Sequence, residues 1–293
     1  GVYVPVASID TLGNTQWTNG RKSEKIGRVL ELNSDGKVNT YTIVADVSVR
    51  YCRDGQITAS YTWNDSKDNT SYNGNVANSA TLYNMIVDDP RDLSKMSYSD
   101  NQFRHKVVLY GNLPSFHGFN VGVRYSGIGG TRYSMVVNGN INGDFVKGND
   151  LAFVFDPNDS SVPQAIRDGI NGLLENPDVD KSFKKYLRKS FGKIAERNGG
   201  INGFSGTWDV RVSKIFNFYK QQRLELSVDI FNVANLIDKK SGLTHNLGKQ
   251  ELLNCTGFDT ATQTFKYTVN NAAGKKSPGG NPWQIQMGVK YMF

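Results

Sequence analysis

The chain contains no run of roughly eighteen apolar residues, the minimum for a membrane-spanning helix. That excludes a helical membrane protein. A mean hydropathy of -0.47 still leaves a membrane barrel open, because barrel strands need apolar residues only at alternate positions. Cysteine is scarce, and Cys52 and Cys255 give at most one disulfide and no metal spacing. His105, His117 and His245 stand too far apart to form a ligand set. No Ser/His/Asp set, phosphate loop or pair of acids on one rigid element is present, so neither an enzyme nor a cofactor is expected. Gly1 opens no signal peptide, which for an outer-membrane protein fits a processed chain or a segment of a longer one. The formal net charge of +7 invites a nucleic-acid partner. Most of that excess lies in one loop segment, so no nucleic acid is expected.

What is present is a period of two. In Trp283 to Phe293, apolar Trp283, Ile285, Met287, Val289, Tyr291 and Phe293 alternate with Gln284, Gln286, Gly288 and Lys290. Alternation puts the two sets on opposite faces of a strand. A length of roughly ten residues suits a membrane-crossing barrel strand. The pattern recurs in Tyr41, Ile43, Ala45, Val47, Val49 and Tyr51, then in Ile57, Ala59, Tyr61 and Trp63. It recurs again in Phe103 to Leu113, Phe119 to Tyr125, Trp208 to Val212 and Leu224 to Ile230. These apolar faces hold no carboxylate, and their single cation is Lys214, near a strand end where a long side chain can snorkel. The opposite faces hold Asp46, Arg50, Arg104, Lys106, Arg124, Asp209, Arg211, Glu225, Asp229 and Lys290. A charge facing lipid at mid-depth costs about 2–4 kcal/mol, whereas a watery lumen accepts it.

The expected strands are about 1–9, 38–51, 55–64, 101–113, 119–134, 206–216, 222–233 and 283–293. The first is weak because Pro5 cannot donate to a ladder. Glycines after Tyr125 would let the fifth bend as far as Tyr133. Links at 52–55, 114–118 and 217–221 are short and alternate with long ones at about 10–38, 65–100, 135–205 and 234–282. Outer-membrane barrels have short periplasmic turns and long external loops, so the C-terminus is expected in the periplasm. Cys52 and Cys255 then lie on opposite sides and should not bond. Thr264–Val269 and Glu251–Cys255 are expected as a hairpin within the last external loop.

Loop 135–205 carries the helical signal. Ser161, Pro163 and Gln164 suggest a capping box, with Ile166, Ile170 and Leu173 as the apolar face of a helix ending at Asn176-Pro177. A second helix is expected through Phe183, Leu187, Phe191 and Ile194, ending at Asn198-Gly199-Gly200. Seven cations against Glu196 lie between Lys181 and Arg197. Lys184, Lys185, Arg188 and Lys189 are therefore candidates for a basic lid over the barrel mouth that attracts an anionic solute or lipid-phosphate groups; a solvated helix face is the plainer alternative. Asp65, Asp68, Asp144, Asp150, Asp156 and Asp159 lie in Asn/Gly-rich loops but in no calcium-loop order, which favours turn chemistry. Arg124, Arg211, Glu225 and Asp229 would contact a plug or solute, or pair with cross-strand neighbours, the favoured reading.

Arg223-Leu-Glu-Leu-Ser-Val-Asp-Ile-Phe-Asn-Val-Ala-Asn-Leu236 resembles the penultimate strand of TonB-dependent receptors. Phe191 to Asn198 followed by Thr207-Trp-Asp-Val-Arg-Val, Asp100-Asn-Gln-Phe-Arg-His105 and Asn19-Gly-Arg-Lys22 are similar to the Oar-like receptors of Bacteroidota. The resemblance implies an antiparallel up-and-down transmembrane β-barrel of roughly 22 strands around a plug, of which this chain would be the C-terminal portion. It implies active uptake of a solute, coupling to TonB through a plug outside this segment, and contact with lipid and lipopolysaccharide. Trp283, Met287, Val289, Tyr291 and Phe293 would be the signal read by the barrel-assembly machinery. Other surface proteins of a larger complex are possible partners. The alternatives are an autonomous eight-stranded outer-membrane protein serving structure or adhesion, and a secreted glycan-binding β domain.

Overall fold

A computed structural model describes residues 8–9, 15–16, 25, 34–71, 84–85, 95–142, 146–219, 221–259 and 261–293. The principal strands are β1 (Val38–Tyr51), β2 (Gly55–Asp68), β3 (His105–Asn112), β4 (Phe119–Gly129), β5 (Met135–Asn138), β6 (Ser205–Asn217), β7 (Arg223–Phe231), β8 (Gln250–Asp259), β9 (Thr264–Val269) and β10 (Gln284–Met292). The helices are α1 (Gln164–Glu175), α2 (Lys181–Lys189) and α3 (Val233–Ile237). The protein is all-β in class, its helices being short and confined to connections.

One antiparallel meander runs β1-β2-β3-β4-β6-β7-β10. Neighbours in this sheet are neighbours in sequence once the long connections are set aside. Tight links after β1, β3 and β6 therefore fall at one end, and the long connections after β2, β4 and β7 at the other. Asp54 ties two of the tight links together by accepting hydrogen bonds from the Ser115 amide and hydroxyl. Those bonds hold its carboxyl below the ordinary range.

Several boundaries differ from the sequence expectation. Ser8–Ile9 pairs with Thr15–Gln16 and not with the main sheet, a local hairpin in place of an eighth wall strand; residues 1–7, Pro5 and Asn19 to Lys22 lie outside the described residues. β2 runs four residues further than expected, to Asp68. The strand expected over 101–113 begins only at His105, because Gln102 turns inward instead. β4 stops at Gly129 rather than at 134. Gly130 takes a left-handed φ of 75°, and Arg132–Tyr133 pairs with Gly200–Ile201 instead. β7 stops at Phe231 because Asn232 adopts φ 55° and opens α3.

The buried core lies outside the main sheet, in a cap built by the long connections. Ile166, Ile170 and Leu173 of α1 and Phe183, Tyr186 and Leu187 of α2 pack with Tyr133, Met135, Val137, Leu252 and Leu253. β8 and β9 form the expected hairpin, and β5 adds to β8 in parallel. The capping box does not form: Pro163 precedes α1 with no side-chain cap, and Ser161 donates to Asp159 instead. α2 is shorter than expected. Gly192 takes φ 70°, and Lys193–Ile194 then pairs with Phe153–Val154.

Candidate functional site

The main sheet presents two chemistries, one on each face. A row of Val49, Ile57, Gly111, Val123, Val210, Ile230 and Ile285 crosses all seven strands through the observed register. One residue away on each strand, Arg50, Gln56, Asn112, Gly122, Arg211, Asp229 and Gln286 form the matching row on the other face. Single-residue displacement exchanges faces, so the register itself keeps the apolar and polar sets apart.

No second layer covers the apolar face among the described residues. Tyr41 is 67% exposed, Val47 63% and Met287 78%. A soluble sandwich would bury these positions, since contiguous exposed apolar patches on soluble proteins rarely exceed a few hundred Å². Aromatic residues bound the face at both ends. Trp208 and Phe216 lie on one side of β6 at opposite ends, roughly 27 Å apart along the strand. At a strand tilt of about 40° that spans about 20 Å, close to the lipid-facing band of an outer-membrane barrel. Trp283 and Tyr291 bracket β10 in the same way. Both borders step diagonally against the register. Trp63 stands three same-face positions from Ile57, whereas Trp208 stands one from Val210. Strands inclined to the band are what a barrel wall requires.

Past Trp63 the extended β2 carries Asp65 and Lys67 on this face; between the aromatic borders its cation is Lys214, which reaches the end of the face, where Nζ donates to the His117 carbonyl and sits 4.1 Å from the Phe119 ring. His105 is also on this face, where Nδ1 shares a 2.8 Å hydrogen bond with the Tyr61 hydroxyl. The C-terminal residues Trp283, Met287, Val289, Tyr291 and Phe293 are all exposed.

On the polar face, Arg211 bridges Asp229 at 3.1 Å and Glu225 at 3.6 Å. Asp209 accepts the Asn232 amide at 2.9 Å. Arg124 is exposed and lies directly across the ladder from Asp209. An open cleft of about 350 Å³ is lined by Tyr110, Gly122, Arg124, Asp209, Arg211 and Asp229, among others.

Lys184, Lys185, Arg188 and Lys189, the candidates for a basic lid over the barrel mouth, do not line this cleft. α2 buries Phe183, Tyr186 and Leu187, leaving Lys185 and Arg188 exposed on its outer side. Lys184 donates to the Asn176 carbonyl at 2.7 Å, and Lys189 meets Glu196 at 3.5 Å. Asp180 caps α2 by accepting the Ser182 amide and pairs with Lys276 at 2.7 Å. Burial pushes the Asp180 carboxyl up, but hydrogen bonds from Lys276 and Ser182 outweigh it and leave the carboxyl below its ordinary value. Burial raises the Tyr133 and Tyr186 phenols, and pushes Tyr267 up to about 12.

The acidic loop residues mostly serve structure. Asp65 pairs with Arg104, Asp156 accepts the Asn158 amide, and Asp150 accepts the Ile141 amide; Asp144 lies outside the described residues. Asp68 binds Arg197 at 2.7 Å with both side chains almost wholly buried. This clasp joins cap to sheet and has no local signature, because its partners are far apart in sequence. Cys52 and Cys255 are free thiols, the first in a tight link and the second in β8.

No protein-family profile matches the chain, and no curated protein matches it. Among solved structures, the outer membrane transporter YddB from Escherichia coli shares 12% identity at a TM-score of 0.38. That match covers 88% of this chain and 26% of YddB's; the chain thus spans about a quarter of that protein's length.

Proposed function

We propose that this chain forms part of the wall and the external cap of an outer-membrane β-barrel transporter of the TonB-dependent kind. The observation that carries the reading is the uncovered apolar face, bordered by aromatics and backed by a charged face. Lipid is the solvent that stabilises such a face, with lipopolysaccharide at its outer border. Water on the other side hydrates Arg50, Arg124, Arg211 and Asp229. Strands with unpaired edges are not tolerated in hydrocarbon. Nothing among the described residues pairs with the outer edges of β1 and β10, so the wall closes through further strands.

On this reading the tight links and Phe293 face the periplasm and the cap faces outward. TonB acts through a plug beyond these residues, and the barrel-assembly machinery reads the last strand. The test is fractionation and extraction of the intact protein. We expect it in the outer membrane, released only by detergent and migrating faster on gels before boiling than after. Recovery in an aqueous fraction without detergent would falsify the assignment.

A further inference from the structure

The apolar face changes character past its outer aromatic border. β2 continues from Trp63 to Asp68, and alternation keeps Asp65 and Lys67 on the same side as Trp63. Lys67 pairs with Tyr98 of the Ser97–Tyr98 segment, which puts the Tyr98 side chain on that side too. Arg104, expected on the polar face, precedes β3 and reaches this border instead. Its guanidinium pairs with Asp65 at 2.9 Å and lies 5.4 Å from the centre of the Trp63 ring. Arg132, just past the left-handed turn at Gly130, completes the group. Its guanidinium lies 3.6 Å from the centre of the Tyr98 ring, and Lys67 Nζ lies 5.1 Å from the same centre.

Three cations therefore stand with one carboxylate, and Arg104 holds it. Across the ladder from Lys67 are Asn39 and Tyr98, and across from Arg132 is Ile201, none of them acidic. Asp68 and Asp100, close by in sequence, engage Arg197 and Asn198. An aromatic ring positions a cation and leaves its charge unneutralised. Arg132 Nε is buried with no acceptor among the described residues. Burial lowers the Arg132 guanidinium from its ordinary value; Tyr98 and, less, Asp65 oppose that, and the nearby Arg104 charge adds to it. An anion relieves the repulsion between such cations. Phosphate suits the geometry, since a guanidinium fork gives it two parallel hydrogen bonds.

Height selects the source of that phosphate. Lys67 lies four residues beyond Trp63, roughly 13 Å along the strand. At a strand tilt of about 40° that is about 10 Å above the aromatic border. Asp65, with its partner Arg104, lies about half as high. The headgroup layer outside the hydrocarbon is about 5–8 Å thick on each side, so the group stands at that layer and just beyond it. A lipid phosphate is held at this height by its own acyl chains, which would lie against the apolar face below. A free anion gains nothing from that face.

We propose that Lys67, Arg104 and Arg132 bind the phosphate of a phosphorylated glycolipid of the outer leaflet, at the outer end of β2. The site rests on the reading of the apolar face as lipid-exposed. It lies on the outside of the wall, apart from the cleft on the polar face. It fixes one headgroup where the apolar face below accepts any acyl chain.

The test uses the intact protein extracted from outer membranes in detergent, with diphosphorylated lipid A as the probe and native mass spectrometry as the readout. We expect saturable binding of lipid A, co-purified or added. Arg132→Gln should weaken it roughly tenfold, and Arg132→Gln with Lys67→Gln further, whereas Lys185→Gln on the cap leaves it unchanged. Dephosphorylated lipid A should bind no better than the double variant binds the parent lipid, and excess inorganic phosphate should not displace the lipid. Gel migration before and after boiling checks that each variant folds. Lys67→Gln, at an exposed side chain, tests the site by itself if variants at Arg132 do not assemble. Undiminished binding by the folded double variant, or by Lys67→Gln in its place, overturns the proposal. So does equal binding of dephosphorylated lipid A, which would need only acyl contacts, or displacement by inorganic phosphate, which would mark a free-anion site. Absence of lipid A from the parent protein overturns it as well. Failure of the parent protein to fractionate with the outer membrane would overturn the transporter reading instead, so the two failures are distinguishable.

Discussion

The Arg197 guanidinium donates to Asp68 Oδ1 at 2.7 Å, with the two side chains only 6% and 2% exposed. Arg197 also donates to Asn84 Oδ1 at 3.1 Å and to the Ser71 hydroxyl at 3.3 Å. Its neighbour Asn198 binds the Tyr98 carbonyl and Asp100. These bonds cross from the cap to the end of β2 and to the Ser97–Tyr98 segment paired with it. Removing one partner of a buried pair leaves the other charge uncompensated and costs about 3–5 kcal/mol. Arg197→Met should therefore loosen the cap by about that much while the sheet persists. Tryptic cleavage at Lys181–Lys193 in the folded protein should speed up in proportion. Arg197→Met combined with Asp68→Leu should restore part of the loss, because no lone charge then remains buried. If Arg197→Met leaves cleavage unchanged, the clasp does not hold the cap.

The cap should also respond to acid. Asp180 caps α2 and pairs with Lys276, and its folded carboxyl lies below the ordinary value of 3.8. A depressed carboxyl contributes stability that is fully present above its unfolded value and is lost as pH falls through the folded one. Acid loosening of the cap is thus expected below about pH 4 and not between pH 5 and 8. Asp180→Ala should cost about 1 kcal/mol at neutral pH, the usual value of a lost side-chain cap. It should also flatten that part of the acid profile. Amide exchange of α2 measured against pH reads both effects; an acid profile identical in Asp180→Ala would refute the role given to this carboxyl.

The sequence carried the sheet because strand alternation is local. Tyr41 to Tyr51 and Ile285 to Phe293 show their faces without reference to any partner, and the observed register aligns those faces across the sheet. The β8–β9 hairpin and the apolar side of α1 were legible for the same reason. What was not legible depends on contacts between distant segments. Phe191 and Ile194 continue the helical spacing of α2, yet Lys193–Ile194 pairs with Phe153–Val154. Tyr133 continues the alternation of β4, yet it turns into the cap core at 2% exposure. Arg197 and Asn198 stood out only as a phrase, and so did Asn232 and Asn235. In the structure Asn232 donates to the Gly242 and Asn281 carbonyls, and Asn235 to those of Lys239 and Ser241. Of the candidate site, the charged face could be read directly. The facing of Asp209 onto Arg124 could not, because it depends on the register between β4 and β6.

Asn232 is a test of backbone against side chain. Its φ of 55° favours glycine or asparagine, and its side chain holds the carbonyls of both Gly242 and Asn281. Asn232→Gly keeps the conformation and loses those two bonds. Asn232→Ala loses them and adds a left-handed penalty of about 1–2 kcal/mol. The destabilisation should therefore rise from Asn232→Gly to Asn232→Ala, read by urea unfolding of protein folded into lipid vesicles. The reverse order would show that the turn relaxes away from the left-handed region.

Met287 and Gln286 are adjacent on β10, but their side chains face opposite sides of the wall. Met287 pairs with Val228 in the middle of the apolar face, and Gln286 pairs with Asp229 on the polar face. If this face meets lipid as proposed, arginine at position 287 has to cross hydrocarbon to reach water, at a cost of about 2–4 kcal/mol near mid-depth. Arginine at position 286 meets Asp229 across the strand and stays hydrated. Met287→Arg should thus lower both the stability of the protein in lipid and its yield in the outer membrane, while Gln286→Arg leaves both near the parent. The comparison holds strand propensity and charge nearly constant and varies only the face. A protein whose apolar side packed against another polypeptide in water would also suffer from Met287→Arg, but its loss would not depend on bilayer thickness. In vesicles of lipids with longer chains the arginine lies further from the interface. The cost of Met287→Arg should therefore grow with acyl length, and that of Gln286→Arg should not.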